Sequence, residues 1–161
     1  GFFIISCIRN PWDLCVSYYW WSVQKLFLEK GIDPLTVSWA TSGMSTLPAL
    51  VLESDSAAVK SEKFKQFLLS PWIDSQSCID FISSETESFI HERVNYYIRF
   101  ENLQEDFSNL STVLGKDFPP LPSLKSGYRN KSIKYQDFYS TETSHLIERM
   151  FPKSVQLGYR F

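Results

Sequence analysis

Hydrophobic positions open the chain with a strand-and-helix unit. Residues 2–8, FFIISCI, form a continuous apolar run, which is typical of a strand buried on both faces of a parallel sheet. Asn10 is a suitable helix cap, and Pro11 suits the first helical position that follows it. A helix is then predicted as far as Lys30, ending at Gly31. The pattern therefore predicts a buried strand, a tight turn and a capped helix.

A second strand-and-helix unit covers residues 94–115. In VNYYIRF, residues 94–100, every second residue from Val94 to Phe100 is apolar or aromatic, and Asn95, Tyr97 and Arg99 lie between them. This period of two is typical of a strand. Apolar residues then recur at helical spacing over residues 103–114, and Gly115 ends the segment. Two strand–turn–helix units indicate an α/β fold with a parallel sheet flanked by helices.

The rest of the chain carries weaker patterns. Two further helices are predicted, over residues 61–69 and over residues 141–150, the second capped by Ser140 or Thr141. Residues 32–60 are predicted to form a long loop or short helical pieces, and residues 116–135 are predicted to be mostly loop. The pattern of residues 72–93 is ambiguous, and its apolar stretch at 78–82 allows a helical turn.

Composition narrows the possible functions. The chain has 161 residues, 43% hydrophobic and 21% charged, which fits one globular domain. A net charge of -2 excludes a nucleic-acid binder that works by bulk positive charge. Three cysteines without a Cys-x-x-Cys pair argue against a zinc site or a disulfide scaffold. Because no apolar run approaches the roughly 20 residues of a bilayer span, no membrane segment is expected in this chain.

Arg9 is the first candidate for binding chemistry. It follows the carboxyl end of the first predicted strand, where ligands of open α/β sheets bind. A helix amino terminus attracts phosphate, and an Arg can donate two hydrogen bonds to it. Ser17 lies eight residues further on, so its hydroxyl could donate to the same anion. The alternative is that Arg9 pairs with Asp13 or another carboxylate, while Ser17 is a small packing residue.

Three segments carry a resemblance to a known family. IRNPWDLCVSYYWW resembles the 3′-phosphate-binding segment of sulfotransferases that use 3′-phosphoadenosine 5′-phosphosulfate (PAPS), and Arg9, Pro11 and Ser17 match its Arg, Pro and Ser. YYIRFENLQEDFSNLSTVLG resembles the later strand–helix unit of the family. NKSIKYQDFYSTETSHLIERMF, followed by LGYRF, resembles the tail of the carbohydrate, Golgi-type branch and its bacterial relatives.

The resemblance implies a P-loop-NTPase-like sulfotransferase fold and a reaction. A sulfuryl group would pass from PAPS, the co-substrate, to a hydroxyl or amine of a carbohydrate or small-molecule acceptor. Arg9 and Ser17 would hold the 3′-phosphate. Arg129 and Lys131, in a late basic loop, are secondary candidates for cofactor binding, with a solvated charged loop as the alternative. Neither a metal nor a nucleic-acid partner is expected.

The sequence also departs from the family. The phosphosulfate loop has no match, since Lys125-Ser126-Gly127 follows a proline-rich stretch rather than an apolar strand. Residues 1–161 are therefore expected to form a single partial sulfotransferase domain, truncated at its amino end and inactive alone. Exposed apolar surface is expected beside residues 2–8. Unpaired cysteines favour the cytoplasm, whereas an upstream anchor in a eukaryotic protein would favour the Golgi lumen.

No residue is assigned as catalytic. His91 and His145 are candidate bases, but surface positions are the favoured interpretation for both. Glu101 is expected to cap or pair at a helix start. Trp20 and Trp21 either pack in the core or line an acceptor groove. The rival function is a non-catalytic, sulfotransferase-like module that binds a glycan or a protein partner, and the oligomeric state is left open.

Overall fold

The computed structural model describes residues 1–30, 51–71, 76–121 and 133–161, with side chains for all of these except 23–30. Within these ranges the chain forms two strands and six α-helices. A short 3₁₀ helix follows the second strand, and another precedes the fifth α-helix. The elements are β1 Ile5–Ile8, α1 Pro11–Lys30, α2 Ala57–Leu69, α3 Cys78–Ser88, β2 Tyr96–Arg99, 3₁₀ helix Phe100–Asn102, α4 Leu103–Leu114, 3₁₀ helix Tyr135–Phe138, α5 Thr141–Met150 and α6 Pro152–Gln156.

The two strands form a small parallel sheet. They pair in register from Ile5 opposite Tyr96 to Ile8 opposite Arg99. A parallel sheet with helices around it agrees with the predicted α/β class. Because the carboxyl ends of parallel strands lie at the same edge, the residues after Ile8 and after Arg99 are brought together.

Burial of β1 differs from the prediction. The strand is shorter than residues 2–8, and only alternate residues of it are buried. Ile5 is 42% exposed, whereas Ile8 is 3% exposed. Helix α4 packs on β2, and the Tyr96 hydroxyl donates to the carbonyl of Asp106. Phe2 and Phe3 are exposed too, so apolar surface lies beside this strand as expected.

Aromatic side chains form the centre of the core. Tyr19 of α1 makes edge-to-face contacts with Phe64 and Phe67 of α2, at centroid distances of 5.8 and 5.3 Å. Phe138, from the second 3₁₀ helix, contacts Tyr19 at 5.9 Å. All four side chains are fully buried. Edge-to-face pairs of this kind add to the stability that burial provides, so this cluster joins three elements into one core.

Local sequence signals place several helix ends correctly. The side chain of Asn10 accepts hydrogen bonds from the amides of Trp12 and Asp13, so it caps α1 as predicted. Helix α4 ends at Gly115, whose positive φ of 61° is the left-handed conformation that glycine adopts readily. Helix α5 has the predicted bounds, and Ser140 caps it.

Two other helices are longer than predicted, and one was not foreseen. Helix α2 begins at Ala57, where Ser56 caps it, rather than at residue 61. The prediction missed the first turn because its exposed residues show no apolar periodicity. The turn predicted near residues 78–82 is the start of α3, which continues to Ser88. Beyond the helix predicted over residues 141–150, Pro152 begins a further short helix, α6.

The buried carboxylate of Glu87, in α3, accepts hydrogen bonds from the first residues of α6. Glu87 Oε2 accepts a hydrogen bond from the amide of Lys153 at 2.6 Å. Its Oε1 accepts from the amide of Ser154 at 3.1 Å and from the Ser154 hydroxyl at 2.6 Å. Because helix starts present unpaired amides, one carboxylate satisfies several donors here.

Asp55 provides a pH-dependent contribution to stability. Its Oδ2 accepts hydrogen bonds from Lys63 Nζ at 2.7 Å and from the amide of Leu52 at 2.8 Å. These hydrogen bonds, that from Lys63 first, hold the pKa of Asp55 below its usual value. A pKa that is lower in the folded chain adds stability above the unfolded pKa of about 3.9 and loses it as the pH falls through the folded value.

We therefore expect Asp55→Asn to lower the free energy of unfolding by about 0.5–1 kcal/mol at pH 7. The deficit should shrink as the pH falls below about 4, where the wild-type carboxylate also loses its charge. Denaturant titrations at several pH values measure this difference. Asp117→Asn, at an exposed position beyond α4, is the matched control and should have little effect. A deficit that stays constant with pH would contradict the prediction.

Candidate anion-binding site

Arg9 directly follows β1, in the turn that leads into α1. Its Nη1 donates a hydrogen bond to Ser17 Oγ at 3.2 Å. Its Nε and Nη2 both donate to Asp13 Oδ2, at 2.9 and 2.5 Å. Asp13 and Ser17 are four residues apart on α1, so both reach the same side of the helix. The Asp13 pair that the sequence offered as the alternative is therefore present, and Ser17 also contacts the guanidinium, while the shared anion stays a prediction.

Phe100 provides a platform under the Arg9 guanidinium. Arg9 Cζ lies 4.2 Å from the centroid of the Phe100 ring, within the range of a cation–π contact. The two residues meet because each directly follows its strand, and Ile8 and Arg99 lie opposite each other in the sheet. The sequence analysis did not foresee this role of Phe100. Its position directly after a predicted strand was the local signal, but that signal does not specify the strand register on which the contact depends.

The Arg9 guanidinium contacts the Phe100 ring with one face and donates hydrogen bonds along most of its edge. Three of its five N–H groups donate to Asp13 and Ser17, and the other two have no partner within the described part of the chain. The Arg9 side chain is 20% exposed. It is therefore fixed in one orientation and still has donors that a ligand in solvent can reach.

Glu101 joins the turn after β1 to the carboxyl-terminal tail. Its Oε1 accepts a hydrogen bond from the amide of Asn10 at 2.6 Å, and its Oε2 accepts from the Tyr159 hydroxyl at 3.0 Å. Burial and then the charge of Glu101 raise the pKa of Tyr159, so this hydroxyl keeps its proton at neutral pH. These are the contacts of a pairing residue, as the sequence predicts for Glu101.

The tail also packs on the start of α1. The Phe161 ring contacts the rings of Trp12 and Tyr139, at centroid distances of 6.0 and 5.4 Å. The Trp12 indole donates to the hydroxyl of Ser144 in α5 at 3.1 Å. The first turn of α1, which carries Asp13 beside Trp12, is therefore supported by residues distant in sequence.

The amino terminus of α1 does not offer the phosphate site that the sequence suggested. The amides of Trp12 and Asp13 already donate to the Asn10 side chain, at 3.0 and 3.2 Å. The next amide, of Leu14, donates to the carbonyl of Asn10. An anion on Arg9 would therefore be bound by side chains rather than by these amides.

Other candidates lie elsewhere. Arg129 and Lys131 fall outside the described residues, as does Lys125-Ser126-Gly127. His91 is exposed on the turn before β2, where its Nδ1 accepts from the amide of Arg93, and His145 is exposed on α5. Neither histidine is among the described side chains that contact Arg9.

The tryptophans of α1 have different surroundings. Trp20 is buried and contacts Tyr19 and Phe138, at centroid distances of 5.8 and 5.9 Å. It is therefore part of the core, and the acceptor-groove alternative is wrong for this residue. Trp21 is 45% exposed, so its role in an acceptor groove stays a prediction.

The arrangement suits binding of a small anion by a fixed guanidinium and a hydroxyl. Across the described ranges, no three His, Cys, Asp or Glu side chains are grouped so that they could hold a metal ion. In the same ranges, no helix combines the length and apolar character that a bilayer span requires. Searches of family models, curated proteins and solved structures gave no match to this chain. We therefore infer its function from the residues of the site.

Proposed function

We propose that this chain carries the 3′-phosphate-binding part of a PAPS-dependent sulfotransferase with a P-loop-NTPase-like fold. The observation that supports the proposal is the convergence of the three segments that resemble the family. In the first segment, Arg9 Nη1 donates to Ser17 Oγ at 3.2 Å. Glu101, from the second, bonds both to Asn10 of the first and to Tyr159 of the tail. Residues from all three segments thus meet at the carboxyl ends of the two parallel strands.

Arg9 would bind the 3′-phosphate through the two N–H groups that Asp13 and Ser17 leave available. Ser17 Oγ accepts from Arg9, so its own hydroxyl hydrogen is a further donor for the same phosphate. PAPS, when bound, would supply the sulfuryl group for an acceptor hydroxyl or amine, and we expect a carbohydrate acceptor. The contribution of these residues is to bind and orient the nucleotide end of the co-substrate, which lowers the entropy cost of transfer.

Arg9→Ala tests the proposal by calorimetric titration with adenosine 3′,5′-bisphosphate and, separately, with 5′-AMP. We expect the wild-type chain to bind the bisphosphate more tightly than 5′-AMP. Arg9→Ala should weaken bisphosphate binding at least about tenfold, since each hydrogen bond to a charged group contributes about 1.5–3 kcal/mol. Binding of 5′-AMP should change little, because it lacks the 3′-phosphate.

Two further variants make the test specific. Arg9→Lys keeps the positive charge but loses the planar fork, so it should recover only part of the affinity. Arg93→Ala removes an exposed arginine from the turn before β2 and should leave binding unchanged. Thermal unfolding checks that each variant is folded. Equal affinity for both nucleotides, or affinity that does not depend on Arg9, would overturn the proposal and favour the binding module.

A further inference from the structure

We propose that Asp13 is a resident counter-ion of Arg9 and limits the affinity of the site for a phosphate. This inference rests on the proposed function and adds to it a residue that sets the strength of binding. A single carboxylate oxygen of Asp13 accepts from both Nε and Nη2 of Arg9, at 2.9 and 2.5 Å. Asp13 therefore occupies one whole edge of the guanidinium.

That edge is one of the two through which an arginine donates paired hydrogen bonds to a phosphate. With Asp13 in place, the N–H groups available to a ligand belong to Nη1 and Nη2, next to Ser17. A phosphate bound there shares one guanidinium with the Asp13 carboxylate. The two anions are then separated by little more than the width of that group.

The negative charges near Arg9 weaken the attraction of the site for an anion. Asp13 offsets part of the positive charge of Arg9, and Glu101 adds a negative charge one residue beyond the Phe100 platform. The side chains of Arg9 and Asp13 are only 20% and 18% exposed, so solvent screens their interactions incompletely. A phosphate would therefore contact Arg9 directly and be repelled by Asp13 from across the guanidinium.

The same pairing gives the site a way to release its ligand. When the phosphate leaves, Asp13 keeps the guanidinium in the orientation that Phe100 and Ser17 also support. The site is thus preorganised for binding while its affinity stays moderate. Affinity differences among variants of one site arise mostly from dissociation rates, so Asp13 is expected to act mainly by speeding release.

Asp13→Asn tests this inference, because the amide keeps an oxygen that accepts from Arg9 and loses the charge. We expect adenosine 3′,5′-bisphosphate to bind about three- to tenfold more tightly, the range for a partly screened charge near a protein surface. Affinity for 5′-AMP should change less. Glu105→Gln makes the same charge change at an exposed position in the first turn of α4 and should change affinity less than about twofold.

The possible outcomes separate this inference from the proposed function. Tighter binding by Asp13→Asn, and also by Asp13→Ser as a second uncharged variant, supports the inference. Unchanged or weaker binding by both folded variants, with Arg9-dependent binding in the wild type, overturns it and makes Asp13 an orienting residue. If neither the wild type nor the variants bind the bisphosphate, the proposed function is overturned, and this inference with it. Stopped-flow dissociation rates provide the second readout, and they should fall in Asp13→Asn.

Discussion

Replacing Phe64 with alanine is expected to lower the free energy of unfolding by about 3–5 kcal/mol, the usual cost of removing a buried aromatic ring from a packed core. Phe64 is fully buried in α2. Its ring lies 5.8 Å from that of Tyr19 in α1 and 5.6 Å from that of Phe138. It also lies 5.1 Å from the ring of Tyr139. A cavity at this point would loosen three elements together, because these rings hold them in contact.

Denaturant-induced unfolding measures this loss, with two variants for comparison. Phe64→Leu keeps most of the buried volume and should be less destabilising than Phe64→Ala. Phe89→Ala removes the same type of ring at a position that is 57% exposed, so its effect should stay below about 1 kcal/mol. Similar losses for Phe64→Ala and Phe89→Ala would contradict the prediction that burial of the Phe64 ring stabilises the core.

Glu87→Ala is expected to destabilise the chain by about 2–4 kcal/mol, because each buried donor left without an acceptor costs about 1–3 kcal/mol. Two amides and one hydroxyl, from Lys153 and Ser154, would lose their acceptor together. Ser154 is almost completely buried, so water cannot easily replace the carboxylate there. Part of the loss would be recovered by rearrangement of α6, which has only five residues.

Unfolding of three variants by guanidinium chloride, which measures the free energy of unfolding, tests the role of the Glu87 carboxylate. Glu87→Gln keeps one acceptor oxygen and should lose about half as much stability as Glu87→Ala. Glu85→Ala lies two residues earlier in α3 on its exposed side, and it should be close to neutral. If Glu85→Ala and Glu87→Ala were equally destabilising, helix propensity rather than the contact with α6 would explain the loss.

Features of the fold that depend on neighbouring residues could be predicted from the sequence. The Asn10 cap, the Gly115 stop and the Ser140 cap act within one helical turn, so short-range signals identify them. The same holds for the contact between Arg9 and Ser17. Its geometry follows once a helix is known to start directly after Arg9, because both residues belong to one turn-and-helix segment.

Features that depend on distant residues could not be predicted. The Phe100 platform requires the parallel register of β1 and β2, which no local pattern specifies. Glu87 interrupts the apolar pattern of α3, and its burial makes sense only once the start of α6 lies against it. Burial of alternate residues in β1 depends on which elements cover each face of the sheet, and the apolar sequence of the strand does not determine this.

The parallel pairing of the strands has a consequence for the order of folding. The contact between Ile4 and Asn95 spans 91 residues, and the contact between Trp12 and Ser144 spans 132. Closing such long loops costs chain entropy before the contacts form, and proteins rich in such contacts fold slowly. During synthesis, Arg9, Asp13 and Ser17 leave the ribosome long before Phe100 does. The Arg9 side chain and its neighbours Asp13 and Ser17 are therefore synthesised well before the aromatic platform that fixes the guanidinium.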